Sequence, residues 1–157
     1  VSGIRAAGSD DAAAIAGLVN RAYRVEEFFV EGDRTDAAEV RRLLADGAFL
    51  LLEEEGALAG CVYLKIADGR GYLGLLAVDP ARQGGGRGRS LVGAVEEACR
   101  AAGARHLDLT VVNLRLELPP FYERLGFRRA GTAPFPDDAR VKQACHFVRY
   151  TKPLDPE

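Results

Sequence analysis

The sequence predicts a single domain of mixed α/β class, and three observations carry that expectation. Apolar segments at 49–53, 58–66 and 72–78 are separated only by Glu55-Gly56 and Asp68-Gly69. Such pairs suit the left-handed turns of tight hairpins, so three neighbouring strands should run antiparallel. An amphipathic stretch then joins the strand ending at Val78 to an apolar strand at 106–112, and a helical crossover makes the strands at its two ends parallel. Finally, 157 residues are enough for one core that buries well over half of the surface exposed by the unfolded chain.

The elements follow in order. Residues 4–7 form a short first strand, and Asp10-Asp11 cap a helix whose apolar stripe is Ile15, Leu18, Val19 and Ala22. A stretch from 23 to 34 mixes acids with Phe28, Phe29 and Val30, and Thr35-Asp36 opens a second helix through Val40, Leu43 and Leu44 that Gly47 closes. After the three antiparallel strands, the helix carrying Leu91, Val92, Val95, Cys99 and Ala102 on one face ends at Gly103. A short helix is expected over 119–125, a strand over 127–133 and a last strand over 145–152. No repeat, low-complexity tract or linker interrupts this order.

Gln83-Gly84-Gly85-Gly86-Arg87-Gly88-Arg89-Ser90 lies between the strand at 72–78 and the amphipathic helix. Glycines let main chain approach an anion unobstructed, and the free N–H groups and dipole of a helix start favour negative charge. Arg87 and Arg89 are cations in a first turn, where cations are disfavoured unless an anion is bound, so the segment reads as a phosphate cradle. The nucleoside-triphosphate loop fails on spacing, since Gly88 is followed by Arg89 and Ser90 rather than by Lys and Ser/Thr. The dinucleotide fingerprint fails as well, because the sixth position from Gly84 is Arg89 and from Gly86 is Leu91.

Gln83-x-x-Gly86-x-Gly88, preceded by Leu75-Leu76-Ala77-Val78-Asp79-Pro80 and followed some forty residues later by Phe121-Tyr122-Glu123-Arg124-Leu125-Gly126-Phe127, resembles the coenzyme A loop, fourth strand and Tyr-x-x-x-Gly-Phe element of the GNAT superfamily of N-acetyltransferases. The resemblance is specific over residues 70–130. It implies the GNAT fold, a mostly antiparallel sheet with a parallel pair splayed around coenzyme A. It also implies direct attack of an amine on the thioester of acetyl-CoA. Gln83, Gly84, Gly85, Gly86, Arg87, Gly88, Arg89 and Ser90 would then hold the pyrophosphate. The main chain of Leu76, Ala77 and Val78 would take the pantetheine arm, one N–H of that strand would stabilise the oxyanion, and Tyr122 would protonate the leaving thiolate.

Two departures from the family pattern concern the site. Many members carry an asparagine seven residues before the tyrosine and a small residue four before it. Here those positions are Arg115 and Leu118, and Asn113 lies two residues early as the candidate coenzyme contact. Many relatives also carry a glutamate on the fourth strand, whereas Gly71-Tyr72-Leu73-Gly74 offers no carboxylate. An amine of ordinary pKa, about 10.4 for a lysine-like group, must lose a proton before it attacks. Glu26 and Glu27, with Glu31 nearby, are therefore the candidate bases. His106 is expected to be structural, and His146 lies in the last strand on the acceptor side.

A net charge of −2, from 21 basic and 23 acidic residues, leaves no cationic excess for a nucleic-acid backbone. Cys61, Cys99 and Cys145 lie far apart in apolar runs, which suits buried free thiols in a reducing cytoplasm. Neither a leader pattern nor eighteen consecutive apolar residues occurs, so no membrane association is expected. No metal is expected. The partners expected are acetyl-CoA and a small-molecule or peptide amine, and a homodimer agrees with the habit of relatives. The alternatives are a non-catalytic acyl-CoA sensor, and an interaction domain whose glycines serve only the turn.

Overall fold

The computed structural model describes residues 2–136 and 140–155. Seven strands form one sheet: β1 Ser2–Ala6, β2 Ala48–Glu54, β3 Ala57–Ala67, β4 Arg70–Val78, β5 His106–Val112, β6 Arg128–Pro134 and β7 His146–Pro153. Their spatial order is β1-β2-β3-β4-β5-β7-β6. All neighbours are antiparallel except β4 and β5, as the crossover predicts. Helices α1 Ala12–Ala22 and α2 Ala37–Asp46 cover one face, and α3 Arg87–Ala101 and α4 Leu118–Arg124 serve the other.

Each face has its own core. Ile15, Leu18 and Val19 of α1 and Val40 of α2 pack on Phe49, Leu51, Cys61 and Tyr63. Leu91, Val92, Val95 and Cys99 of α3 and Tyr122 of α4 pack with Leu52, Val62, Leu64, Leu73, Leu107 and Leu109. The period-2 alternation of the strands sends successive side chains to these two cores. Strands covered on both sides therefore read as nearly continuous apolar runs.

The local signals act largely as expected. Glu55 and Gly56 have φ of 52° and 79°, and Asp68 and Gly69 have φ of 53° and 75°, the left-handed pairs that turn tight hairpins. Asp36 caps α2 by accepting from the Glu39 N–H at 2.8 Å. Asp11 stands at the N-cap of α1 without capping it. Its carboxylate instead accepts from Arg5 and from the Gly8 N–H. Gly47 follows α2 in extended backbone, with φ of −156°, so it is not there for left-handed freedom. A Cβ at Gly47 would lie 2.5 Å from the Leu64 carbonyl oxygen and 2.6 Å from the Tyr63 hydroxyl. Close approach, which periodicity does not reveal, fixes that glycine.

Cys61 and Cys99 are buried free thiols, but Cys145 is half-buried, which corrects the expectation of three buried thiols. It sits just ahead of β7, where chain enters the sheet from the 135–145 connection rather than from within a packed strand. No described helix is long and apolar enough to cross a membrane.

Two glycines separate close approach from conformational freedom. Gly47→Ala should lower the urea midpoint by the equivalent of about 1–3 kcal/mol, the usual cost of overpacking. Gly93→Ala, in α3 with nothing within 4 Å of its Cβ position, should raise stability by up to about 1 kcal/mol through helix propensity.

Candidate active site

The site begins where the sheet comes apart. β4 and β5 are paired only at Arg70–His106, Gly71–Leu107 and Tyr72–Asp108. Beyond these, β4 continues against β3 to Val78 and β5 continues against β7 to Val112, with no hydrogen bonds between them. A bulge in β4 bends it away: Leu75 and Leu76 together face the single residue Val62, between the Tyr63–Gly74 and Cys61–Ala77 pairs. Leu75 has φ of 47°. Outside the two hairpin turns it is the only non-glycine residue with positive φ among those described. Bulges bend and twist the strand that carries them, and left-handed backbone at a leucine persists only where its surroundings enforce it.

A cavity of about 270 Å³ threads the resulting split. Leu73, Gly74, Leu75 and Leu76 line one wall and 109–112 the other. Tyr122 and Leu118 reach it from α4, on one face of the sheet, while Tyr23, Glu26 and Arg115 line it with the loop on the α1 side.

The Tyr122 ring is wedged edge-on against Phe121 and Phe127, with centroids 5.0 and 5.6 Å away. The residue is only 5% exposed, yet its hydroxyl has no hydrogen-bond partner among the described residues. It borders the cavity. Burial pushes its phenol well above the usual range, so it stays protonated.

The loop at 23–34 is stitched to the β6–β7 connection. Val30 bridges Val141, the Glu31 N–H donates to the Arg140 carbonyl, and the Lys142 N–H donates to that of Phe29. Lys142 Nζ adds a bond to the Glu27 carbonyl at 2.7 Å. Residues 23–34 and 140–143 thus form one roof over the cavity. The Glu27 carboxylate has no partner among the described residues, and Glu31 lies 4.0 Å from Lys142. Both line the cavity.

Glu26 is placed differently. It is 8% exposed, and its Oε2 receives Arg115 Nη1 at 2.7 Å while Arg115 Nε donates to Glu117 at 3.0 Å. Arg115, first noticed only as a departure at an asparagine position, is a site residue that motif spacing did not assign. Tyr23 was missed too, although it opens the segment whose composition drew attention to Glu26 and Glu27.

Asn113 turns toward the sheet. Its Oδ1 accepts from the His146 N–H at 2.8 Å, and its own N–H donates to the His146 carbonyl at 2.9 Å. It tethers β5 to β7 and does not line the cavity. His146 is exposed and His106 half-buried, and neither borders the cavity.

After β4, a 3₁₀ turn over Pro80–Arg82 leads into the glycine turn. Gly84, Gly85 and Gly86 have φ of 90°, 67° and 76°, and Gly86 is the N-cap of α3. Three successive left-handed positions account for the triple glycine. Arg87 does not face outward: Nε lies 2.9 Å from Glu54 Oε2, and Nη1 donates to the carbonyls of Arg82 and Gly84 at 2.7 and 3.1 Å. Its guanidinium shapes the turn and ties it to β2. Arg89 and Ser90 are exposed, and Arg89 has no ion-pair partner among the described residues.

Residues 15–127 match the family model described as Acetyltransferase (GNAT) family. The chain belongs to the GNAT acetyltransferase family. It is 37% identical over 132 residues to a mycothiol acetyltransferase of Kineococcus radiotolerans, covering 80% of this chain and 41% of that protein. A second mycothiol acetyltransferase, from Propionibacterium freudenreichii, is 34% identical over 90 residues, 55% of this chain and 29% of that one. The GNAT chain thus spans less than half the length of these curated relatives. The ribosomal-protein-S18-alanine N-acetyltransferase of Escherichia coli superposes with a TM-score of 0.82 at 19% identity, covering 100% of this chain and 96% of that one. A putative acetyltransferase of Salmonella typhimurium, solved with its cofactor acetyl-CoA, gives 0.73 at 24% identity, with 99% and 95% covered. At these identities the structural likeness is one of fold, and it confirms the mixed sheet with one parallel pair.

In this GNAT domain the Glu26–Arg115 pair joins the loop at 23–34 to the β5–α4 connection. Removing one partner of a buried pair strands the other charge. Arg115→Ala should therefore cost about 3–5 kcal/mol. The double variant with Glu26→Ala should cost clearly less than the sum of the single changes, a coupling of at least about 1 kcal/mol in a urea-denaturation cycle.

Proposed function

We propose that this domain transfers the acetyl group of acetyl-CoA to a primary amine. The observation that carries the proposal is the cavity threading the split between β4 and β5, which is lined by Tyr122 with its uncommitted hydroxyl, in a chain that carries a glycine turn at a helix start between β4 and α3.

The residues present fit the coenzyme. Cβ atoms at Gly84 and Gly86 would meet nothing within 4 Å, so the turn offers bare main chain. The first N–H groups of α3 lack intrahelical partners, and Arg89 adds an unpaired cation beside them, which together suit a pyrophosphate. Gln83, Gly85, Gly88 and Ser90 complete that surface, and Arg87 acts by holding the turn against Glu54. The split edge of β4 at Leu76, Ala77 and Val78 suits an amide-containing arm. Asn113 is left out of the coenzyme set, because its side-chain oxygen is occupied by β7.

Bound acetyl-CoA supplies the activated acetyl group and a thiolate leaving group. Tyr122 holds a proton on Oη for the departing sulfur, and solvent restores it afterwards. The Glu27 carboxylate takes the proton that the amine loses. Glu26, already receiving Arg115, positions that guanidinium. Glu27, Glu31 and Asp33 line the cavity together with Arg34 and Arg140, and the Glu27 carboxylate, which has no partner among the described residues, is the group that would meet an acceptor arriving as an ammonium ion. The names of similar proteins, mycothiol acetyltransferase and ribosomal-protein-S18-alanine N-acetyltransferase, point to different substrates, so the acceptor is proposed here only as a primary amine.

The ion pairing of Glu26 and the lack of a carboxylate on β4 between Tyr72 and Leu76 favour a second reading, an acyl-CoA sensor without turnover. It predicts acetyl-CoA binding with no thiol release in the presence of any amine.

Four variants test these roles. Gly86→Glu places negative charge at the pyrophosphate position and should abolish acetyl-CoA binding measured by calorimetry. Gly86→Ala, which carries only the backbone strain of about 1–2 kcal/mol, should retain it. Equal loss in both would sink the cradle. Tyr122→Phe removes an unpartnered hydroxyl, so its melting point should barely move while turnover falls at least about tenfold, the lower range for a general acid being ~10²-fold; full activity would make Tyr122 a packing residue. Glu27→Gln should lower amine turnover with acetyl-CoA affinity intact, and unaltered turnover would assign the proton to solvent.

A further inference from the structure

Tyr23 stands at the C-terminal end of α1 and opens the 3₁₀ turn that contains Glu26. Its hydroxyl donates to the Leu76 carbonyl at 3.3 Å. Leu76 belongs to the β4 bulge, in the part of the strand that has lost its β5 neighbour. The phenol therefore spans from the helical layer to main chain at the edge of the split.

The ring is held from two directions. The guanidinium of Arg34 lies 5.8 Å from its centroid and that of Arg115 lies 6.0 Å away, cation–π distances at which an electron-rich ring is favoured. Arg115 is itself fixed by Glu26 and Glu117. Burial keeps the Tyr23 phenol protonated.

Tyr23 and Tyr122 thus enter one cavity from the helical layers on opposite faces of the sheet. Their bonding differs. The Tyr23 proton is committed to Leu76, which leaves the oxygen lone pairs as its remaining capacity, whereas the Tyr122 proton is uncommitted. One hydroxyl is an acceptor and the other a donor.

We propose that Tyr23 is an acceptor-binding residue whose Oη accepts a hydrogen bond from the attacking primary amine and aims the nitrogen lone pair at the thioester carbon. The inference rests on the acetyl-transfer reading and deepens it. No proton passes to Tyr23: the carbon–nitrogen bond forms, the carbon–sulfur bond breaks, sulfur takes the Tyr122 proton, and the amine proton leaves to Glu27. The charge around the ring supports the arrangement. Arg115 is paired by Glu26 and Glu117, and Arg34 adds a further cation against the ring, so this inner position favours a neutral amine over an ammonium.

The test is Tyr23→Phe in the full chain, which keeps the ring and both cation–π contacts. Thiol release from acetyl-CoA is followed with methylamine, glucosamine, L-alaninamide and cadaverine as probe amines, and acetyl-CoA affinity is measured separately by calorimetry. The expected result is a rise of about tenfold in KM for the amines turned over, on the scale of one hydrogen bond, with acetyl-CoA affinity within about twofold of the parent. A purely structural Tyr23 would release the Leu76 main chain and weaken coenzyme and amine together. That parallel loss, or an unchanged amine KM, overturns the inference and leaves the transfer reading intact. If the parent binds acetyl-CoA but releases no thiol with any of the four amines, the transfer reading fails and the role of Tyr23 fails with it.

Discussion

The site depends on a strand pairing that is broken off. β4 and β5 form a parallel pair for three residue positions and then separate. Every main-chain group beyond Tyr72 and Asp108 on the facing edges would otherwise be consumed by the ladder, since buried N–H and C=O groups are nearly always paired. The cause lies in β4 itself. Placing Leu75 and Leu76 opposite Val62 inserts one extra residue, and the left-handed φ of Leu75 turns the strand away from β5 while it stays bonded to β3. The strain of a leucine in that conformation, of order 1–3 kcal/mol, is offset by two well-filled cores on either side of the same strand. The stable half of the sheet thereby holds open the half that has no partner.

Arginine has two distinct uses here, which charge counting cannot separate. Arg87 and Arg89 occupy the same first turn of α3, but Arg87 folds back onto Glu54 and two carbonyls while Arg89 stays exposed. A guanidinium has five donors in a fixed plane, so it can join several backbone acceptors that a lysine would meet only one at a time. Arg115 does the same between Glu26 and Glu117. In both cases the guanidinium fixes a loop that borders the cavity, and its charge is largely used within the protein.

The architecture was legible because it is written in local signals. Hairpin pairs at Glu55-Gly56 and Asp68-Gly69, the cap at Asp36 and the stripe Leu91, Val92, Val95 and Cys99 each act through neighbours within a few residues. Strand and helix ends accordingly fall within about two residues of the sequence reading, as expected where assignment rests on terminal hydrogen bonds. The glycine turn and Tyr122 were legible through motif spacing. What was not legible depends on contacts remote in sequence: Glu26 meeting Arg115 across 89 positions, Tyr23 meeting Leu76 across 53, and Arg87 meeting Glu54 across 33. Asn113 shows the same limit from the other side. Its position at a strand end does not show that its side chain and main chain bond His146 of β7, 33 positions away.

The roof over the cavity explains why the acceptor side carries no motif of its own. Residues 27–33 and 140–143 are joined mainly through main-chain groups, with Lys142 and Gln143 also donating to the carbonyls of Glu27 and Phe28. Main-chain bonding places few demands on residue type, so the side chains of Glu31 and Asp33 can vary without loss of the loop's shape. The fixed inner wall differs. Tyr23 is held by its hydroxyl and by two guanidiniums, and Tyr122 by two aromatic edges, so each is constrained in both identity and orientation. Side chains can therefore change at the rim while the two tyrosines keep their places in the split.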